Sequence, residues 1–287
     1  MKSKKNRSQS KQIWMRLKKN KLAIIGLGIL IIILLFAIFA DFIADYETEV
    51  IKQNMKNRLQ APSKENWLGT DSYGRDIFAR IVHGSRYSLT IGISTIVISL
   101  FVGGFFGSIA GYYGGRIDNI IMRVMDMFLA IPSIILAIAI VASLGTGVRN
   151  LIIALSISNV PQFARLIRSS ILTVKESEFI EAAHAVGTNT SEIIIKHILP
   201  NSIGPIIVQA TFGVATSILA AASLSFLGIG IRPPAPEWGA ILSEGKEYIR
   251  YTPYLVLFPG IAIAITVLSL NLLGDGLRDA LDPSLKN

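Results

Sequence analysis

The 287-residue sequence contains no cysteine and few charged residues, and both shortages restrict what the protein can be. Without cysteine the chain has no disulfide framework, no thiolate metal site and no cysteine nucleophile. Charged residues make up 16% of the sequence, against about a quarter in soluble domains. Because 51% of the residues are hydrophobic, this deficit favours a protein that is partly surrounded by lipid.

Sequence motifs of common catalytic sites are also missing. There is no Gly-x-x-x-x-Gly-Lys-Ser/Thr phosphate loop, no His-Glu-x-x-His zinc motif and no Gly-x-Ser-x-Gly nucleophile turn. The three histidines, His83, His184 and His197, are scattered along the chain. We therefore predict that the chain is not an enzyme, with no catalytic residue, no metal site and no cofactor of its own.

Six apolar stretches are long enough to cross a bilayer, whose hydrocarbon core of roughly 30 Å needs about 20 helical residues. Lipid offers no partner to exposed backbone groups, so helices are expected throughout. The predicted fold class is an all-α integral membrane protein with six transmembrane helices. The first helix, nearly all Ile, Leu and Phe, is expected to be peripheral and lipid-exposed. The predicted spans are residues 22–40, 88–112, 122–144, 151–171, 203–231 and 253–273.

The distribution of basic residues predicts the orientation in the membrane. Nine of the 28 lie in the first 21 positions, which favours a cytoplasmic N-terminus beside anionic lipid over nucleic-acid binding. A cleaved signal peptide is the rival interpretation, but the apolar run is too long for one and no convincing cleavage site follows it. Both termini are then cytoplasmic, and the basic residues divide as 17 inside and 11 outside. The inside segments are 113–121, 172–202 and 274–287, and the outside segments are 41–87, 145–150 and 232–252.

Small residues form stripes at four-residue spacing on two predicted spans. Such stripes let membrane helices approach closely. Tight packing within the chain is the favoured interpretation of both, and a subunit interface is the alternative for the second. The first stripe is Gly103, Gly107 and Gly111, and the second is Gly213, Ser217, Ala221 and Ser225.

Four side-chain amides, Asn159, Gln162, Gln209 and Asn271, lie within predicted spans. Ionisable groups at mid-bilayer are costly, and none sits clearly mid-span here, which argues against a pathway for a single bound proton or metal ion. The amides suit a wide, weakly polar passage, so we predict that they line it. Hydrogen bonding between helices is the competing interpretation of each amide.

A polar, helix-prone segment at about 172–202 interrupts the apolar runs. Glu176, Glu178 and Glu181 fall early in a helical stretch, where carboxylates favour the positive end of the helix dipole. Gly187 lies where a helix end needs a left-handed residue, and Asn189 with Glu192 resembles a capping box. We predict a helix, a turn and a second helix at the membrane surface. The apolar side of the second helix would be Ile193, Ile194, Ile195 and Ile198.

The spacing Glu181-Ala182-Ala183, three residues, Gly187, then Leu199-Pro200 resembles the EAA loop of the permease subunits of ATP-binding-cassette (ABC) importers. In that family the loop is the cytoplasmic helix that docks onto the ATPase. The resemblance thus implies that these six residues couple the chain to an ATPase. His197 departs from the general pattern, which has Ile there, and an ordinary amphipathic surface helix is the alternative interpretation.

Further stretches resemble the C-type permease of dipeptide, oligopeptide and nickel importers. We interpret the Gly-Thr-Asp and Gly-Arg-Asp turns in the first of them as turn and ion-pair elements of the outer segment. Trp238 and the residues after it are expected to form a helix in the outer interface. The stretches are Trp67–Asp76, Phe226–Gly230, Pro233–Gly239 and Leu273–Asp279.

The resemblance implies a particular assembly and domain organisation. A B-type permease would supply the other half of the passage, two ABC ATPases would hold ATP and magnesium, and an extracellular protein would deliver cargo at a bacterial cell membrane. The expected cargo is a di- or oligopeptide, with nickel or a metallophore as the alternative. A stand-alone channel or secondary transporter is the alternative from another class, although no internal repeat is evident. The implied parts are a basic tail at 1–21, an N-terminal transmembrane helix and external segment at 22–87, and a five-helix permease domain of the type I importer kind at 88–287.

Overall fold

The computed structural model describes residues 9–193 and 199–281, and in this part of the chain the secondary structure is helical, apart from one isolated bridge between Thr70 and Asp76. A π-helical turn, Tyr46–Ile51, and two short 3₁₀ turns, Met55–Asn57 and Lys246–Tyr248, supplement the α-helices. The α-helices are α1 Gln9–Leu17, α2 Lys21–Ile38, α3 Ala40–Ile43, α4 Ile77–Tyr113, α5 Gly115–Leu129, α6 Ser133–Leu144, α7 Val148–Lys175, α8 Glu178–Ala185, α9 Thr190–Ile193, α10 Leu199–Phe226, α11 Trp238–Gly245 and α12 Tyr254–Leu281.

Five of the described helices, α2, α4, α7, α10 and α12, are long and apolar enough to cross a membrane. They coincide with five of the six predicted spans. The remaining span, predicted as one helix over 122–144, is instead the pair α5 and α6, which bend by 84° across residues 130–132. Pro132 explains the break, because it lacks a backbone N–H and disfavours helical geometry at the residue before it. The all-α membrane fold is confirmed, with up to six crossings if the bent pair is one span.

Several helix boundaries also differ from the sequence prediction, among them the start of α4 and the end of α10. Helix α4 begins at Ile77, and its first turns carry Arg80, His83 and Arg86, which hide a helix from a search for apolar residues. Helix α10 ends at Phe226 rather than 231, since the backbone of Gly228 is left-handed at φ +82°. Hydropathy therefore predicts the central part of each span but not where its helix begins and ends.

The segments between the spans gather at two opposite ends of the bundle. At one end, which we call the external-segment end, Arg58 donates to the Tyr248 hydroxyl and Tyr254 donates to the Gln60 carbonyl. At the other, which we call the coupling-loop end, Lys175 donates to the Tyr112 carbonyl and Asn20 donates to Asp279. This sorting agrees with the predicted threading of the chain. The assignment of the coupling-loop end to the cytoplasm stays a prediction.

Helix α4 packs against α7 through its glycine stripe. A Cβ added at Gly103 would lie 2.6 Å from the Val160 carbonyl oxygen, and one at Gly107 would collide with that of Ala164. Gly213 on α10 is equally crowded, with its virtual Cβ 2.7 Å from Ile96. Both stripes therefore serve close contact within the chain, as the sequence favoured.

Helix α2 lies at the edge of the bundle. It touches α12 at Gly26, where an added Cβ would meet the Ser269 carbonyl oxygen at 2.7 Å. Most of its bulky side chains, such as Ile32 and Ile38, are about half exposed. These positions confirm that α2 is peripheral, and its contact with lipid stays a prediction.

Candidate coupling loop and passage-lining cleft

The polar segment after α7 forms a helix, a turn and the start of a second helix. Helix α8 begins at Glu178, next to Ser177, whose carbonyl accepts from the Ile180 backbone N–H at 2.9 Å. Contrary to the prediction, Glu176 is therefore not in the first turn of this helix but caps the end of α7. Gly187 has φ +83°, the left-handed conformation predicted for the helix end. Helix α9 follows, with the Ile193 N–H bonded to the Asn189 carbonyl. Residues 194–198 lie outside the described part of the chain, so Ile194, Ile195 and Ile198 stay predictions.

Two buried isoleucines pack this loop against the membrane helices. Ile180 is 1% exposed and Ile193 is fully buried, and both belong to a cluster with Ile167 and Ile171 of α7 and Ile206 of α10. A force on the loop would therefore act directly on α7 and α10. This coupling of loop to helices is an apolar contact that spacing alone does not reveal.

The opposite side of the loop faces solvent. Glu181 and Gly187 are exposed, and no described residue has an atom within 4 Å of a Cβ added at Gly187. Val186, an apolar residue that sequence reasoning did not single out, is 87% exposed at the tip. Ala182 and Ala183 lie within α8, and Leu199 and Pro200 open α10, but the side chains of these four residues are outside the described set.

Three of the four predicted passage residues meet in one cleft of about 230 Å³, which we call the amide cleft. Asn159 and Gln162 come from α7, and Gln209 comes from α10. Asn271, on α12, does not line it. Helix α6 closes one side with Ser133 and Ile134. The other residues of the cleft are Leu155, Ser158, Phe212, Thr216, Ser217 and Ala220.

The hydroxyl groups of the amide cleft were not foreseen from sequence. Serine and threonine are easily accommodated in membrane helices, because the hydroxyl can bond to the helix's own backbone, as Ser158 does to Ala154 and Thr216 to Gly213. Asn159 likewise donates to the Leu155 carbonyl at 2.8 Å. Only the tertiary structure brings these groups to a common surface.

A buried ion-pair cluster joins three separate segments at the external-segment end. Arg75 and Arg80 both bond to Asp71 at 2.7 Å and to Glu244 at 2.6 Å. The exposed fractions of the four side chains range from 0 to 11%. The predicted ion-pair role of the Gly-Thr-Asp and Gly-Arg-Asp turns is thus confirmed for Asp71 and Arg75. Sequence reasoning missed Arg80 and Glu244, which lie outside the motif along the chain.

Glu237 caps α11 inside this end of the protein. Its carboxylate accepts the backbone N–H groups of Gly239 and Ala240, both at 2.9 Å, and the side chain is 1% exposed. Burial raises the pKa of Glu237, while the hydrogen bonds oppose the rise. The next residue, Trp238, is 2% exposed and donates to the Ile81 carbonyl. The expected helix after Trp238 is thus present as α11, and the indole packs it onto α4. The position of this helix in the outer interface stays a prediction.

Comparison with known proteins identifies the family. Residues 103–287 match the family described as "Binding-protein-dependent transport system inner membrane component". Residues 8–62 match the "N-terminal TM domain of oligopeptide transport permease C".

Individual relatives cover nearly the whole chain. The dipeptide transport system permease protein DppC of Alkalihalophilus pseudofirmus is 52% identical over 277 residues, which is 96% of this chain and 90% of that protein. The glutathione transport system permease protein GsiD of Pectobacterium atrosepticum is 43% identical, over 98% of this chain and 93% of that protein.

Among solved structures, an inward-facing form of the MetNI methionine ABC transporter matches with a TM-score of 0.59 at 21% identity. The match covers 71% of this chain and 96% of that one, and it shows the type I importer fold. The family match, the relatives and the fold agree. The chain therefore belongs to the family of inner membrane components of binding-protein-dependent transport systems, as an ABC importer permease subunit of the DppC/OppC-like branch.

Proposed function

We propose that this chain forms half of the passage of a bacterial importer for di- or oligopeptides. The observation that supports a peptide as the cargo is the 52% identity, over 96% of the chain, to a dipeptide permease. The 43% identical glutathione permease supports the same class, because glutathione is itself a small peptide. The amide cleft supports a passage that contacts neutral polar groups of its cargo.

ATP hydrolysis by a separate ATPase would drive transport through contacts at the coupling-loop end. Residues Glu181, Ala182, Ala183 and Gly187, with Leu199 and Pro200, are the surface onto which a separate ATPase docks in this proposal. The loop is fastened through Ile180 and Ile193 to α7 and α10, two helices that line the amide cleft. Movement of the ATPases on binding and hydrolysing ATP with magnesium would thereby reach the cleft directly.

A second, B-type permease would complete the passage. The amide cleft, at about 230 Å³, is smaller than the roughly 300 Å³ at which ligand pockets begin, as expected of half a site. A binding protein would deliver cargo at the external-segment end. The chain would lie in the cell membrane with both termini in the cytoplasm.

Uptake assays test the cargo. A deletion strain should lose import of labelled dipeptides and regain it when this chain is supplied. Labelled glutathione, longer peptides and nickel should be assayed in parallel. Loss of nickel uptake with normal peptide uptake would replace the proposal by the metal alternative.

A further inference from the structure

The amide cleft holds hydrogen-bonding capacity that the described part of the chain does not use. The side chains of Gln162 and Gln209 make no hydrogen bond there. Each glutamine offers an NH₂ donor and a carbonyl acceptor.

Both glutamines lie part-way along membrane helices and are accessible, Gln162 being exposed and Gln209 half-buried. Gln162 is in the middle of α7, and Gln209 is well inside α10. Polar groups without partners in hydrocarbon cost several kcal/mol each, by rough transfer estimates. Pro161, beside Gln162, adds to the deficit because it cannot donate to the Ile157 carbonyl one turn earlier. A polar occupant of the cleft is therefore favoured during transport.

The chemistry of the lining restricts that occupant. Among the described residues, no charged side chain lines the amide cleft, so the charged ends of a peptide find no counter-ion there. A peptide bond carries one N–H donor and one carbonyl acceptor, which match the two glutamine amides. Leu155 and Phe212 supply apolar surface beside them. A site of this kind recognises what all peptides share and is indifferent to their side-chain charge.

We propose that Gln162 and Gln209 form a subsite that binds the main-chain amide of a peptide cargo during its passage. The inference rests on the proposed peptide import. It adds that the contact is made by neutral hydrogen bonds to the peptide bond itself. The charged termini would be left to water or to the partner permease.

The experiment compares a labelled dipeptide with its ester analogue, in which oxygen replaces the peptide N–H. The complete transporter is reconstituted with both permeases, the ATPases and one binding protein. For each cargo, uptake by the double variant Gln162→Leu/Gln209→Leu is divided by uptake by the wild type. Because both transporters use the same binding protein, its preference for one cargo over the other cancels in this ratio. Loss of a hydrogen bond predicts a fall of roughly tenfold for the dipeptide and a smaller fall for the ester.

Two further variants keep the test decisive if the double variant folds poorly. Gln162→Asn keeps the amide but shortens the side chain by one methylene, so it should fold normally and still lower dipeptide uptake. Thr211→Val is the matched control, because Thr211 is on α10, does not line the cleft and bonds to its own helix at the Ile207 carbonyl. It should transport both cargoes at the wild-type rate.

Three other outcomes would contradict the subsite, and one of them would also contradict peptide import. Wild-type rates for all variants would exclude the subsite and leave peptide import intact. Equal loss of both cargoes, with loss of the partner permease on purification, would mean that the glutamines bind the second subunit instead. Failure of the wild-type transporter to import any peptide would overturn the proposed function and this inference together.

Discussion

Arg80 of α4 donates through Nη1 to Glu244 of α11 at 2.6 Å, although 164 residues separate them along the chain. Arg75 reaches the same carboxylate oxygen, and Asp71 binds both arginines. Two positive and two negative side chains thus cancel inside the protein. The cluster joins the external segment, the start of α4 and α11 into one unit.

Glu244→Gln should destabilise this end strongly. The substitution leaves two buried guanidinium groups with one carboxylate, and breaking a buried ion pair costs roughly 3–5 kcal/mol. Tryptophan fluorescence of the purified protein during heating would measure the fall in apparent melting temperature. Glu247→Gln, at an exposed position three residues further on, is the control and should melt as the wild type does. Equal melting of both variants would show that the cluster contributes little.

Gly107→Ala should loosen the contact between α4 and α7. The new methyl group would collide with the Ala164 carbonyl oxygen, and overpacking of this kind costs roughly 1–3 kcal/mol. Gly28→Ala is the matched control, because nothing lies within 4 Å of its added Cβ. Thermal melting of the two variants in the same detergent checks the difference. A Gly107→Ala variant that melts at the wild-type temperature would contradict the packing described for the glycine stripe.

Deletion of residues 181–187 should abolish uptake and release the ATPases while the chain still inserts into the membrane. A subtler pair tests the turn itself. Gly187→Val must force a β-branched residue into φ +83°, whereas Gly187→Asn supplies a residue that tolerates this region. Co-purification of the ATPases should fall for valine and be retained for asparagine. Normal uptake by the deletion variant would refute the coupling role of the loop.

The stability of α11 should depend on pH through Glu237. Burial raises the pKa of this carboxyl above its value in the unfolded chain, so the folded state retains the proton over the window between the two values. Raising the pH through that window should therefore lower the free energy of unfolding. Glu237→Gln cannot titrate and should flatten this dependence in melting curves taken from the ordinary pKa of a glutamate upward. An unchanged slope would place the titrating group elsewhere.

The absence of cysteine makes the orientation directly measurable. Val186→Cys and Tyr251→Cys place single thiols at residues that are 87% and 85% exposed, at opposite ends of the bundle. A membrane-impermeant maleimide added to intact cells should label position 251 only. Position 186 should react only after the membrane is opened. The reverse pattern would invert the proposed topology.

The coupling loop and the amide cleft differ in how much of them could be predicted. Gly187 was predicted correctly because a left-handed helix end is a local property of the backbone. Ile180 and Ile193 gave no hint that they meet α7 and α10, since that contact joins separate helices. Among the amides, polarity inside an apolar run marked all four residues equally. Position in the bundle then separated Asn271 from the three that line the cleft.

By itself the sequence determined that the chain lies in a membrane and crosses it as helices, because lipid requires long apolar helices. It also determined the family resemblance, because the spacing of residues in the coupling loop is a local property of the sequence. It also separated the two ends of the bundle through the order of the spans. Tertiary structure alone decided which polar side chains share a surface. It placed Gln162 of α7 in the same cleft as Gln209 of α10, buried Trp238 against α4 and paired Glu244 with Arg80, because these partners approach only when the helices pack.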